Sequence, residues 1–305
     1  MPVGHDVQEF GASLPMGHRG QDASDLIRAK LSDPAPCMIT RFGNIELRTV
    51  INHWHQIRHG FAKNAWLYIR GRQRAFWWDM ETKNQMRQNA GFFPCTDEAL
   101  ARFAELYLRD IEQIDVLGSW LRDEAELGEQ LGKATMVPLP DLEPYYHETP
   151  WTRALEGRSV LVIHPFEQSI RQQYKKRTEL FSNPEMLPSF DLKTIKAVQS
   201  LGGECHGYNS WFEALDQMCG KVDETEFDIA LIGAGAYGLP LAAHIKRLGK
   251  KAVHLGGATQ ILFGIKGKRW DEFPPVRKLY NEHWSRPLQE ETPSGYKAVE
   301  SGCYW

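Results

Sequence analysis

The alternation of apolar and polar positions changes period repeatedly along this chain, and each change marks an element. Leu47, Val50, Ile51, Trp54, Ile57 and Phe61 recur at helical intervals, which predicts a helix over 45–59. Before it, the apolar run 37–40 reads as a strand and Gly43 as a turn. A short helix over 25–31 ends at Ser32-Asp33-Pro34. Further on, 66–70 and 114–120 read as strands, 76–89 and 96–113 as helices, and 123–131 as a short acidic helix. The stretch 137–150 carries four prolines, so it reads as a connector and a candidate boundary between two lobes.

Beyond that connector the rhythm is clearer. Strands are predicted at 159–163, 194–198, 229–232 and 251–255, with helices over 167–181, 211–218 and the apolar stretch after Gly238. Strands alternating with helices predict an α/β fold: a mostly parallel sheet with helices on both faces and a Rossmann-like C-terminal half. The expected organisation is an N-terminal arm at 1–24, an α/β catalytic domain at 25–285 and a C-terminal tail at 286–305. The tail ends in Gly302-Cys303-Tyr304-Trp305, an aromatic anchor.

Two strand–turn–helix units carry the candidate chemistry. In the second, Gly233, Gly235 and Gly238 stand at G-x-G-x-x-G spacing directly after the apolar run 229–232. Such a turn lets backbone approach a phosphate at a helix start, and Tyr237 belongs to the same turn. A dinucleotide site also needs an acid at the end of the following strand to hold the ribose. Here that place holds Val253, His254, Leu255, Gly256 and Gly257, which argues against NAD. Gly256, Gly257 and Gln260 are candidates to contact a base or ribose. In the first unit, Arg41, Gly43, Asn44 and Glu46 fall where a parallel sheet gathers ligands. Arg41 can fork onto a phosphate, and Glu46 can ligate a cation or act as a base. Equally, Glu46 is the third helical residue after Gly43 and can serve as a helix cap.

Other candidates are weaker. His164 follows a strong strand and can act as a base or donate to a phosphate, with Glu167 behind it. Their competing roles are a satisfied turn and helix-start stabilisation. Arg171 and Lys175 share a helical face, which is ordinarily solvated. Lys266 lies in a loop, 264–270, that combines three cations, two glycines and Trp270. His55 and His59 have zinc-like spacing but no third ligand on their helix. A net charge of −3 with 25% charged residues gives no nucleic-acid tail. Five scattered cysteines without C-x-x-C spacing read as reduced thiols. With no leader and no apolar run long enough for a membrane span, a cytoplasmic protein is expected.

Together the two units resemble a family. Arg41-Phe42-Gly43-Asn44-Ile45-Glu46 resembles the R-F-G-D-G-E segment of the GT-D-type glycosyltransferases, and the 232–238 turn with His254-Leu255-Gly256-Gly257 resembles that family's Rossmann-like half. The resemblance implies a hexosyltransferase-like enzyme of bacterial surface polysaccharide or glycoprotein glycan assembly. Its donor would be a nucleotide sugar, a UDP-sugar foremost, and its acceptor a glycan or glycolipid. It also implies a divalent cation, Mn or Mg, at Glu46 and Asn44. This chain departs from the family there, since Asn44 stands where the family has Asp and offers only a neutral oxygen. A homo-oligomer is compatible with the family. Two alternatives stay open: an NAD(P)-dependent oxidoreductase, and a non-catalytic sugar-nucleotide-binding protein.

Overall fold

The computed structural model describes residues 15–73, 75–200, 207–293, 296 and 302–305. Seven strands form one sheet: β1 (Cys37–Thr40), β2 (Val116–Ser119), β3 (Thr135–Pro138), β4 (Ser159–His164), β5 (Asp191–Lys196), β6 (Ile229–Ile232) and β7 (Lys251–His254). Their order is β3-β2-β1-β7-β6-β4-β5, with every pair parallel. The helices are α1 (Gln21–Ser32), α2 (Asn44–Arg58), α3 (Phe61–Ile69), α4 (Met80–Gln88), α5 (Asp97–Ile111), α6 (Glu167–Tyr174), α7 (Arg177–Leu180), α8 (Trp211–Asp223), α9 (Gly238–Arg247), α10 (Ala258–Leu262), α11 (Lys268–Asp271) and α12 (Pro274–Arg277).

Near-continuous apolar strands are what a sheet covered on both faces requires. The two-residue period of a strand divides them between two cores. Met38, Leu161, Ile163, Ala230 and Ile232 face one core with Phe103 of α5, Trp211 of α8 and Leu239 of α9. Ile39, Val160, Val162, Ile229 and Leu231 face the other with Ile27 of α1, Ile170 of α6 and Ile261 of α10. The helix starts are set by local chemistry. Asp79, Thr96 and Ser210 accept the backbone N–H of Thr82, Ala99 and Glu213, respectively, the usual N-cap bond.

Several elements differ from the pattern-based expectation. The run 66–70 lies in helix α3 and its C-cap, not a strand. A short apolar run has no decisive period. The helix expected over 167–181 breaks near Lys175 into α6 and α7. The acidic helix at 123–131 is a 3₁₀ turn at Arg122–Leu127. The connector supplies a strand, since Thr135–Pro138 pairs with β2. One sheet takes strands from both sides of that connector, with β1 against β7. Within the expected arm, α1 begins at Gln21, and Gly17 donates its N–H to Met136 O at 2.9 Å.

Chain direction sets where a ligand can gather. β4 leads outward to β5 at the edge, whereas β6 leads inward to β7. The connections after these adjacent strands therefore leave in opposite directions, which opens a crevice at the carboxyl ends of an α/β sheet.

Candidate active site at the carboxyl edge of the central strands

The two motifs lie nearly two hundred residues apart in sequence, and pairing of β1 with β7 and of β7 with β6 brings them to the same edge of the sheet, one strand apart. At the end of β1, Arg41 folds back so that Nε and Nη2 donate to Phe42 O at 3.0 and 2.8 Å. Trp120 Nε1 donates to the same carbonyl at 3.0 Å, and the guanidinium lies 4.9 Å from the Trp120 ring centroid. Burial lowers the pKa of Arg41 from its ordinary value, Tyr304, Glu46 and Glu143 favour the charged form, and Arg269 opposes it. A guanidinium stays protonated through such a shift, so the site holds a fixed, partly desolvated positive charge.

Gly43 is the N-cap of α2. A Cβ there would come within 2.0 Å of the Glu46 carboxylate, which is folded over the helix start. Asn44 is the first residue of α2. Mg or Mn takes about six oxygen donors, usually one or two carboxylates completed by waters and substrate phosphates. Asn44 and Glu46 supply one carboxylate between them, already turned onto the helix cap and sharing its surroundings with the Arg41 charge. Among the described residues no group of three or more His, Cys, Asp or Glu side chains has the geometry to hold a metal. Asn44 and Glu46 alone therefore do not make a resident cation site, and a cation here would be held chiefly by the donor's diphosphate. The zinc-like pair fares no better: His55 faces Glu126 at 3.4 Å, and no third ligand joins it and His59.

The glycine turn is used differently from its appearance in sequence. A Cβ on Gly233 would lie 2.5 Å from His164 Cδ2 and 2.8 Å from both Gly256 O and Thr259 Oγ1. One on Gly238 would lie 2.1 Å from His254 Nε2. These two glycines let β6, β7 and the start of α9 pack against one another. Gly235, at φ 53 with open space around it, serves the turn itself, a conformation glycine adopts without strain. Tyr237 points into the core, stacked on Trp211 at 4.7 Å with its hydroxyl 2.8 Å from Ser200 Oγ. Gly256, at φ 61, is the glycine that faces Arg41, with Nη1 3.7 Å from a Cβ position.

His254 closes the floor of the site. Thr40 Oγ1 donates to Arg41 O at 3.3 Å and lies 3.1 Å from His254 Nδ1. Among the described residues His254 Nε2 has no hydrogen-bond partner, and it faces Gly238. Burial, with Arg41 adding to it, depresses this imidazole to about 3. His164 is likewise depressed to about 3 by burial. Its Nδ1 accepts the Phe166 N–H at 2.9 Å, so the neutral ring presents an Nε2–H donor, not a base. Glu167 Oε1 accepts from Thr194 Oγ1 at 2.5 Å and pairs with Arg171 at 3.2 Å. It is thereby committed to the outer strand β5.

The tail and the basic loop meet at the site through residues other than those expected. Lys266 turns its ammonium over Tyr280 at 5.4 Å. Arg269, three residues on, lies 4.9 Å from the Tyr304 ring and donates to Cys303 Sγ at 3.3 Å. Gln260 is buried and donates to Ile265 O and Tyr304 O at 3.3 and 3.2 Å, with its Oε1 unpartnered. A Cβ on Gly257 would lie 2.9 Å from Tyr304 Cε1. The aromatic anchor thus docks on its own chain, where Trp305 packs against Phe166 at 6.0 Å and donates to Glu291 O at 3.2 Å.

The residue that sequence reasoning missed is Glu143. Burial pushes its carboxyl up to about 7, against the opposing pull of the Tyr145 hydroxyl bonded to Oε2 and the Arg41 charge. A carboxylic acid poised near neutrality beside a fixed cation has the properties of a general base. The signal was faint: Glu143 sits just before Pro144-Tyr145-Tyr146 in the proline-rich connector. A conserved-looking motif would have drawn attention to it, but an isolated acid in a loop does not. Compared with protein-family models, with curated proteins and with solved structures, the chain matches none of them.

Proposed function

We propose that this protein is a glycosyltransferase that moves a sugar from a nucleotide diphosphate donor to an acceptor hydroxyl. One observation carries the reading: the Arg41 turn and the Gly256–Gly257 turn meet at the carboxyl ends of adjacent central strands, the edge of a parallel sheet at which ligands gather. In this scheme Arg41 and Arg269 offset the charge that grows on the departing diphosphate, with backbone at Gly256 and Gly257 close enough for N–H contacts. Glu143 removes the proton from the acceptor hydroxyl. Glu46 orders the start of α2 and balances Arg41. No step is routed through a metal, because two cationic side chains stand where a dication would otherwise act. A UDP-sugar is the donor the resemblance favours.

The test is a thermal-shift panel of nucleoside diphosphates, nucleotide sugars and NAD(P)H, each with and without a chelator, followed by turnover with the donor found. Ligand at a hundred times its dissociation constant adds about 2.7 kcal/mol to stability, a readily measured shift. Stabilisation by a nucleotide sugar that survives chelation supports the scheme, and transfer or hydrolysis of that donor completes it. A shift with NAD(P)H alone would overturn it in favour of an oxidoreductase. Donor binding without turnover would leave a sugar-nucleotide-binding protein.

A further inference from the structure

Helix α3 is built inside out. Its one buried residue is polar: Asn64, 1% exposed, donates through Nδ2 to His55 O and His59 O at 2.8 Å each and accepts from Gln73 at 3.0 Å. Its large apolar residues point to solvent, with Phe61 and Ile69 at 78% and 80% exposure and Trp66 and Tyr68 at 49% and 45%. An ordinary surface helix does the reverse, turning its apolar stripe to the core. The patch extends onto the following turn. Phe76 packs edge-on against Phe61 at 5.7 Å, and Trp77 against Tyr68 at 4.9 Å. Phe61, Ala65, Tyr68, Ile69, Phe76 and Trp77 line one shallow depression of about 370 Å³.

Within the segment that carries this face the charge has one sign, and Asp79 and Glu81 follow directly after it. From Gly60 to Trp78 the chain holds Lys63, Arg70, Arg72 and Arg74 and neither Asp nor Glu. The guanidiniums of Arg70 and Arg72 lie 5.7 and 5.6 Å from the Trp66 ring centroid. In a protein whose net charge is −3, this segment is locally cationic. Exposed aliphatic and aromatic side chains rimmed by cations are the composition of an element that lies in the plane of a lipid interface. Trp and Tyr settle at the headgroup level, and Lys and Arg are drawn to anionic headgroups.

We propose that α3 and the Phe76–Trp77 turn seat this protein on an anionic phospholipid surface. No spanning segment is involved, and among the described residues no helix is long and apolar enough to cross a membrane. A second copy of the chain suits the face poorly, because a two-fold contact would set its cations against themselves. Nucleic acid would satisfy the arginines and stack on the aromatics, but it leaves the exposed aliphatic Ile69 without a partner. Helix α2 joins this face to the candidate active site, since it starts at Asn44 and ends at Arg58. Its 15 residues span about 22 Å. The proposal needs neither donor nor turnover and stands apart from the transferase reading.

Co-sedimentation of the full chain with phosphatidylcholine vesicles, and with vesicles that also contain phosphatidylglycerol, tests it. The protein should bind the anionic vesicles, bind neutral ones far less, and release as salt rises. Two paired variants separate the contributions: Phe61→Ser with Ile69→Ser removes the apolar tips, and Arg70→Glu with Arg72→Glu reverses the charge. Each should weaken binding roughly tenfold or more while leaving thermal unfolding unchanged, since every altered side chain projects outward. Should either pair fail to fold, the other still reads the contact. Absence of wild-type binding to anionic vesicles would overturn the proposal, as would undiminished binding by the folded variants. A concentration-dependent dimer that the serine pair makes monomeric, without vesicle binding, would assign the face to a second copy.

Discussion

The two strand–turn–helix units resemble each other in sequence and differ in what their turns do. After β6, Gly233 and Gly238 are sites of close packing: each lies against a histidine ring from a neighbouring strand. After β1, the turn brings a buried cation, a carboxylate folded onto a helix cap and, across the site, a second carboxyl held near neutrality. Gly233 and Gly238 are thus required by packing, and the charged groups collect at the less conspicuous turn. Glycine is required by shape in both cases, but only a site with charged groups has something to offer a substrate.

Substitutions can break this division of labour. The largest effect is expected at Glu143, where Glu143→Gln should lower kcat by about 10²–10⁴-fold, the usual contribution of a general base, with donor affinity nearly unchanged. A base with a pKa of about 7 must lose its proton to act, so the wild-type rate should rise through neutral pH and level off above it. A rate profile unchanged in the glutamine variant would exclude Glu143 as the base.

Next comes Gly238→Ala. Its new Cβ would stand 2.1 Å from His254 Nε2, an overpacking that costs about 1–3 kcal/mol or more in urea unfolding. Gly238→Ala with His254→Ala should recover part of the loss, because the imbalance is one of space; additive costs in the double variant would refute the packing role. Arg41→Ala should weaken donor binding by about 1.5–3 kcal/mol, the range for hydrogen bonds to charged groups, as read by calorimetry. A donor affinity equal to that of wild type would remove Arg41 from the site. The smallest change belongs to Gly235→Ala. Its Cβ meets nothing within 4 Å, leaving only the left-handed strain of about 1–2 kcal/mol.

The buried histidines add a pH test of the packed unit. His164 and His254 are depressed to about 3 from 6.5. The unfolded chain therefore binds more protons than the folded one between those values. Their contribution is complete above about pH 6.5 and lost as the pH falls toward 3. Urea midpoints should decline across that window, and His254→Asn should flatten part of the decline.

Much of this architecture was legible in the order of residues. Strands such as Ile229–Ile232 are apolar on both faces, and a strand of that kind has few places to go except the middle of a covered parallel sheet. The helical stripe of Leu47, Val50 and Ile51 fixed α2, and with it Gly43 as the N-cap. Where local preference was balanced, as in 66–70, the pattern could not choose, and contacts made on folding decided for helix, with Asn64 of α3 bonded to the end of α2. The same holds for α3's reversed faces, because periodicity reports that a stripe exists and not which way it turns.

The candidate site divides along the same line. Arg41 and Gly256 could be singled out from their neighbours in sequence, since turns after strands gather at one edge of a parallel sheet. Glu143, Arg269 and Tyr304 could not. Their roles depend on which side chains stand nearby after folding, and on how much water those neighbours exclude. A carboxyl reaches a pKa of about 7 only through burial beside specific partners. The sequence by itself determined a parallel α/β sheet and the turns that border its carboxyl edge, because backbone periodicity and glycine geometry are local. Only the tertiary structure decided which of those turns became packed floor and which became chemistry, because burial and electrostatic surroundings arise between residues that are distant in the chain.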